Sequence, residues 1–313
     1  MLDQIAERRW VLPLAGILLL WAALVMLTER LSIYSLTGVA TSASFLLFPA
    51  LGQMLVITTG RGNIDLSIPS TVTLSAYISV VMSGGTDAGL PAATGAVLGT
   101  ALAIGLVNAG LVVLMRIPAM IATLATGYIL ASLTLVVNAM VTRMGTPPLL
   151  AWLATAKIGG FPLIFLIVLA LTILIGLMLG FSAHGRKLLA VGQSVEAARL
   201  TGIRTGRIVC STFVTSALLS ALTGMLLSGY AAGAFLEMGT PYLLQSVGAV
   251  VLGGTLIAGG SATAMGTLFG AVLLVMIVTT LQIAGLPPGI QDILQGVVII
   301  AVLAVAGPGG RMR

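Results

Sequence analysis

The sequence predicts an all-α polytopic membrane protein of about ten transmembrane helices, and three observations predict it. The 313 residues are 58% apolar and only 7% charged, whereas an ordinary soluble domain is about 25% charged. Apolar runs such as WVLPLAGILLLWAALVML, TGAVLGTALAIGLVNAGLVVLM and FPLIFLIVLALTILIGLMLGF each reach the roughly 20 residues that a helix needs to cross a bilayer. Lysine and arginine fall unevenly among the segments between such runs, a bias that orients multispanning chains.

The elements follow in order. The start, MLDQIAERRWVLPLAG, carries a basic pair before a long apolar run. The run is long for a signal peptide and no small-residue cleavage site follows, so it reads as an uncleaved first helix. Apolar runs and turn signals then place segments near 11–28, 37–59, 69–83, 91–115, 117–141, 161–181, 209–229, 242–258, 262–284 and 289–306. The third and eighth are short and lie beside glycine-rich stretches, as broken or re-entrant helices do. The whole of 1–313 reads as one transmembrane domain, with a polar loop at 182–207 inside it.

With the N-terminus inside, the cytoplasmic segments hold Arg8, Arg9, Arg61, Arg116, Arg186, Lys187, Arg199, Arg204, Arg207, Arg311 and Arg313. The outer segments hold Arg30, Arg143 and Lys157. Both termini are therefore expected in the cytoplasm. The acids divide evenly and say nothing about orientation; Glu237 and Asp292 fall outside, facing water or a docking protein. The net charge of +6 does not indicate nucleic acid, because the basic residues are scattered and form no stripe. The single cysteine, Cys210, has no internal disulfide partner and reads as a packing residue in a helix.

A repeat is also visible. The stretch from Gly95 resembles the stretch from Gly266: Gly95 and Gly99 match Gly266 and Gly270 at an offset of 171. On the assigned topology the two copies run in opposite directions, as in the inverted repeats of transporters.

The loop 182–207 concentrates charge that the chain avoids elsewhere. Ser194 is a good N-cap and Gly202 a good C-terminal stop. Glu196 falls in the first turn and Arg199 near the end, as the helix dipole favours. Ala197 and Ala198 keep the surface thin for a partner. A helix of about seven residues has little stability of its own, so it reads either as a partner-facing handle or as a positive-inside signal.

Three stretches resemble the ribose/xylose/arabinose-type permeases of bacterial ABC importers: GNIDLSIPSTVTLSAY (62–77), HGRKLLAVGQSVEAARLTGI (184–203) and VGAVVLGGTLIAGGSATAMGTLFGA (247–271). Asn63 and Pro69 stand where that family usually has glycine, and the Ser261–Ala262 pair lacks a further one. The resemblance covers about residues 40 to 305 and implies a type II ABC importer-like arrangement in a bacterial inner membrane. It implies that Ser194, Glu196, Ala197, Ala198, Arg199 and Gly202 form a coupling segment received by an ABC ATPase subunit. It also implies a second permease, identical or paralogous, and a periplasmic solute-binding protein. The sequence contains no GxxxxGK[ST] phosphate loop, so ATP and magnesium belong to the partner subunits. No catalytic or metal-binding residue and no cofactor is expected in this chain.

Candidate gate or pathway residues are Gly62, Asn63, Asp65, Ser67, Asn108, Asn138, Gly253, Gly254, Gly259 and Gly260. Asp65 pairs locally with Arg61, caps the third helix or gates. Asn108, Asn138, Gln53, Gln245, Gln282 and Gln295 join helices or line a path. The near absence of charge within the spans fits a neutral hydrophilic cargo. A monosaccharide or sugar-like solute is expected, with a nucleoside, a quorum-signal sugar or a branched-chain amino acid as alternatives. An ATP-independent secondary transporter would need an intramembrane acid or sodium site, and a membrane scaffold would need neither repeat nor handle.

Overall fold

The computed structural model describes residues 11–28, 33–141 and 145–306, without the side chains of 11–12, 23–28, 33–35, 288, 292, 299 and 301–306. Arg8, Arg9, Arg30, Arg143, Arg311, Arg313 and the side chain of Asp292 lie outside the described residues, and so do both termini.

The described chain forms helices α1 (Val11–Thr28), α2 (Ile33–Thr58), α3 (Ile68–Ser83), α4 (Leu90–Val113), α5 (Ala119–Ala139), α6 (Pro148–Thr155), α7 (Leu163–Phe181), α8 (Ala183–Gln193), α9 (Val195–Leu200), α10 (Thr205–Tyr230), α11 (Tyr242–Leu252), α12 (Ala264–Ile283) and α13 (Pro288–Ala306). A helix lies over each expected apolar segment. Among the described residues six are long and apolar enough to cross a membrane: α2, α4, α5, α7, α10 and α12. The 16 residues of α3 and 11 of α11, at about 1.5 Å each, are too short for roughly 30 Å of hydrocarbon.

Local chemistry sets the helix ends. Pro69 stands in the first turn of α3, where its missing N–H costs nothing, and Gly84 ends the helix at φ 55°. Ser182 and Thr263 cap α8 and α12 through their hydroxyls, which accept from Gly185 N (2.9 Å) and Gly266 N (3.0 Å). Three features escaped the sequence reading: helices α6 and α8, and a hairpin of two-residue strands pairing Lys157–Ile158 with Phe161–Pro162. The hairpin turns on Gly159 and Gly160, both at positive φ, the geometry that matches strand twist.

The core is built around α2 and α10. The apolar window of α2 is 83% buried, against 33% in α4 and α5 and 28% in α7. The last three therefore present apolar faces to lipid or to another protein. Helix α10 packs against α2, α3 and α4. A Cβ on Gly52 would stand 2.7 Å from Ser216 Cα, so glycine is what lets α2 and α10 approach at that level. Cys210 packs beside Val56, Ala109 and Phe213 as a small apolar residue.

The connections 59–67, 182–204 and 253–263 meet at one end of the bundle. The end of α4 joins them beside residues 199–207. At the opposite end the 84–89 turn meets the start of α6, where Leu149 N donates to Asp87 Oδ1 (2.8 Å).

The glycines of the apparent repeat differ in setting. Gly95 and Gly99 face open space, whereas Gly266 and Gly270 are pressed against Gly253 and Ala249 of the neighbouring segment.

Candidate functional site

Helix α9 forms as the residues of its ends dictate. Ser194 Oγ accepts from Ala197 N (3.2 Å). At the other end Gly202 adopts φ 80°, Gly202 N donates to Arg199 O (2.9 Å) and Ile203 N to Ala198 O (3.0 Å). These are the two reverse bonds of a Schellman stop. Glu196 stands in the first turn and Arg199 in the last.

The helix rests on the body through Val195 and Ala198, both buried. Its outward surface carries Glu196, Ala197, Arg199 and Leu200. Ala198 therefore belongs to the anchoring side and not to the thin outer surface assigned to it from sequence. Leu200, passed over in the sequence, is 90% exposed. Its position after Arg199, on the face opposite Ala198, was the available signal.

Glu196 forms an ion pair with Arg61. Both side chains are mostly exposed, so solvent screens the pair and it adds little stability; its value is positional. Arg61 sits at φ 58° between Gly60 at 76° and Gly62 at 69°. Three successive left-handed residues turn the chain sharply and aim Arg61 at α9. The Glu196 carboxyl is held below the usual carboxylate range, first by its own backbone N–H and then by Arg61 and Arg199. A lowered carboxyl keeps its charge as pH falls through the ordinary glutamate range, so the pair is lost only in stronger acid.

Beside the pair lies a joint of glycines. The end of α8 at Gly192 touches Thr58 and Gly260, and Gly259 lies against Gly60. Gly260 N donates to Thr58 O (3.0 Å). A Cβ on Gly60 would stand 2.8 Å from Gly192 O and 3.1 Å from Ala258 O. Gly254, Gly259 and Gly260 all hold positive φ, and Gly253 is pressed on Gly266. Three stretches far apart in sequence thus share one backbone-to-backbone contact: 58–62, 192–196 and 258–260.

Asp65 does something other than pair with Arg61. It is buried among polar side chains from four helices and its own segment. Its Oδ1 accepts from Ser67 N (3.0 Å) and Ser67 Oγ (2.6 Å), and its Oδ2 from Ser216 Oγ (2.7 Å). Asn108 Nδ2 donates to Ser67 Oγ (2.9 Å). Asp65 N donates to Gln53 Oε1 (3.1 Å) and Leu66 N to Thr123 Oγ1 (2.9 Å). The N–H groups of residues 65, 66 and 67 are non-helical and buried or half-buried, and each is answered by a side chain. Unwound backbone inside an apolar body requires that. Of the pairing, capping and gating readings of Asp65, the local contact with Arg61 does not form, and Asp65 holds the entry of α3 through Ser67 N.

Asn63 belongs to the same turn, where its Nδ2 donates to Thr59 Oγ1 (2.8 Å). Gly62 faces open space. Asn138 is half-buried near the end of α5, apart from this cluster. Thr123 and Ser216 were not singled out in the sequence. The signal for Ser216 was the hydroxyl stripe Thr212, Ser216, Ser220 and Ser228 on α10, all buried. Glu237 accepts from Thr240 Oγ1 (2.7 Å), a local turn contact. Among the described residues no group of three or more His, Cys, Asp or Glu is placed to hold a metal.

Comparisons with known proteins bear on these parts together. The family described as "Branched-chain amino acid transport system / permease component" matches residues 35–303, which include the turn, the joint and α9. The autoinducer 2 import system permease protein LsrC of Salmonella typhi is 31% identical over 309 residues, covering 98% of this chain and 88% of the relative. LsrC of Yersinia pseudotuberculosis is 31% identical over 308 residues, covering 98% and 87%. The probable ABC transporter permease protein y4mJ of Sinorhizobium fredii is 31% identical over 304 residues, covering 96% and 90%. No solved structure matches. A bundle with six span-length apolar helices, matched over nearly its whole length, leaves one assignment: the chain belongs to this family of membrane-embedded permease components of bacterial ABC importers.

Proposed function

We propose that this chain forms, with a second permease copy or a paralogue, the path by which an ATP-driven importer carries a monosaccharide or sugar-like solute delivered by a periplasmic binding protein. The neutral polar interior carries this reading. The buried polar side chains are Ser, Thr, Asn and Gln, with Asp65 as the one buried carboxylate among the described residues. Both Asp65 oxygens are taken by hydroxyl and backbone donors, which leaves a poor site for a coupling ion and disfavours a secondary transporter. Within sugar-like cargo, the names of the relatives favour a quorum-signal sugar; the family description keeps a branched-chain amino acid as the second reading.

Helix α9 is the part an ABC ATPase subunit would receive, through Glu196, Ala197 and Leu200. ATP and magnesium would be held by that subunit. The glycine joint then carries its displacement to the 59–67 turn and the 253–260 loop. Ten crossing segments, with α3 and α11 completed by the non-helical chain beside them, and both ends in the cytoplasm agree with connections 59–67, 182–204 and 253–263 sharing one end. An inverted repeat agrees with the paired lengths of α2 and α10, 26 residues each, each followed by a break and a short helix.

The test is uptake by the reconstituted complex with a panel of ribose, autoinducer 2 and leucine. Saturable ATP-dependent uptake of a sugar-like compound is expected; uptake of leucine alone would replace the cargo reading, and uptake by this chain without an ATPase would end the importer reading. Glu196→Lys is expected to leave membrane insertion intact and lower uptake at least about tenfold, because it reverses the charge that faces Arg61 and the ATPase. The double variant Arg61→Glu with Glu196→Arg separates the roles. It restores the ion pair, so recovered uptake would mean that Glu196 serves Arg61 and not the ATPase.

A further inference from the structure

A cavity of about 630 Å³ opens between the end of α4 and the start of α10. One wall is apolar, with Leu106, Val113 and Leu114 of α4 and the residue after it; the other carries Arg199, Arg204 and Arg207. No carboxylate lines it. The acid on the neighbouring helix, Glu196, is taken by Arg61. Arg199 is oriented by its Nε, which donates to Thr205 Oγ1 (3.2 Å). Arg204 and Arg207 are exposed.

The two walls ask for a ligand with two chemistries. Helix α4 is among the span-length apolar helices and is mostly unburied. Leu102, Leu106, Val107 and Leu114 stand exposed along it, so the apolar wall continues the uncovered apolar surface of a span-length helix. The helix ends at Val113, so the cavity lies where hydrocarbon gives way to headgroups. Three guanidinium groups there, beside the N-terminus of α10, present forked donors and a positive dipole end to a phosphate oxygen. A positive-inside signal needs the charges but no concave site and no apolar wall.

We propose that this cavity is a binding site for one anionic phospholipid of the bilayer, with its phosphate on Arg199, Arg204 and Arg207 and its acyl chains along α4. Basic pockets between helices at this depth hold anionic headgroups in this way. The lipid would tie α4 to the residues that follow α9 and so stiffen the link between the handle and the membrane body. The proposal stands on the spanning of α4 and not on the nature of the cargo.

The full-length protein is placed in nanodiscs of mixed phosphatidylglycerol and phosphatidylcholine, and retained lipid is counted by native mass spectrometry after extraction. Retention of phosphatidylglycerol over phosphatidylcholine is expected, falling about tenfold in Arg204→Gln/Arg207→Gln and less in Arg204→Lys/Arg207→Lys. The control Arg186→Gln/Lys187→Gln should retain the lipid as the parent does. Equal retention of both lipids, an unchanged double variant, or equal loss in the control would overturn the proposal. Displacement by millimolar glycerol phosphate would reduce the site to a simple anion site, and displacement by the bound ATPase subunit would make it a protein interface; either result overturns it too.

Discussion

Gly192→Ala is expected to abolish uptake while the protein still inserts into the membrane. Helix propensity alone favours the change by about 1 kcal/mol. The site opposes it more strongly. The new Cβ would fall within contact distance of Thr58 O and Gly260 N, the two atoms that bond each other at 3.0 Å. Neither is a flexible side-chain end. Gly260 is held at φ 75°, and Thr58 ends α2, the most buried of the spans. Overpacking of this kind costs typically 1–3 kcal/mol, and here relief requires the three joined segments to separate. Uptake and the unfolding midpoint in detergent should both fall. Gly95→Ala provides the comparison: it is helical, has open space around it and should be neutral or slightly stabilising. Wild-type uptake by Gly192→Ala would show that the joint does not need its close contact.

Asp65→Ala should be the second most damaging single change. It strips acceptors from Ser67 N, Ser67 Oγ and Ser216 Oγ at once. The hydroxyls can rotate to other acceptors, but the Ser67 N–H cannot. An unsatisfied buried donor costs about 1–3 kcal/mol, and a poorly polarisable surrounding raises the stakes for the whole network. Asp65→Asn keeps one acceptor for Ser67 N, and Ser216 can turn its hydroxyl to accept from the new amide. Stability should therefore rank parent, then Asn, then Ala, with uptake following the same order. The check is to measure unfolding midpoint and uptake on the same preparations. An Asn variant with parental stability and no uptake would assign the carboxylate charge a gating role that its hydrogen bonds do not suggest.

The sequence by itself determined the ten long apolar segments and the ends of the handle, but not the short helices α6 and α8. Apolar runs located the spans because, in lipid, a backbone must satisfy its own hydrogen bonds, and helices do so from local residues alone. Ser194 and Gly202 were legible for the same reason: capping joins neighbours three to five residues apart. The tertiary structure alone decided which polar groups meet. Arg61 is four residues from Asp65, within reach on any helix, yet it pairs with Glu196, 135 positions away. Asp65 instead meets Ser216, 151 positions away. The chain between α2 and α3 is unwound, so helical spacing does not apply there, and its three left-handed residues turn the arginine outward while the aspartate goes in. The side of α9 that Ala198 faces was likewise invisible until α8 fixed its rotation. Local propensity places elements, but long-range packing chooses the partners of a buried or turned side chain, because that choice depends on backbones approaching where only glycine lets them.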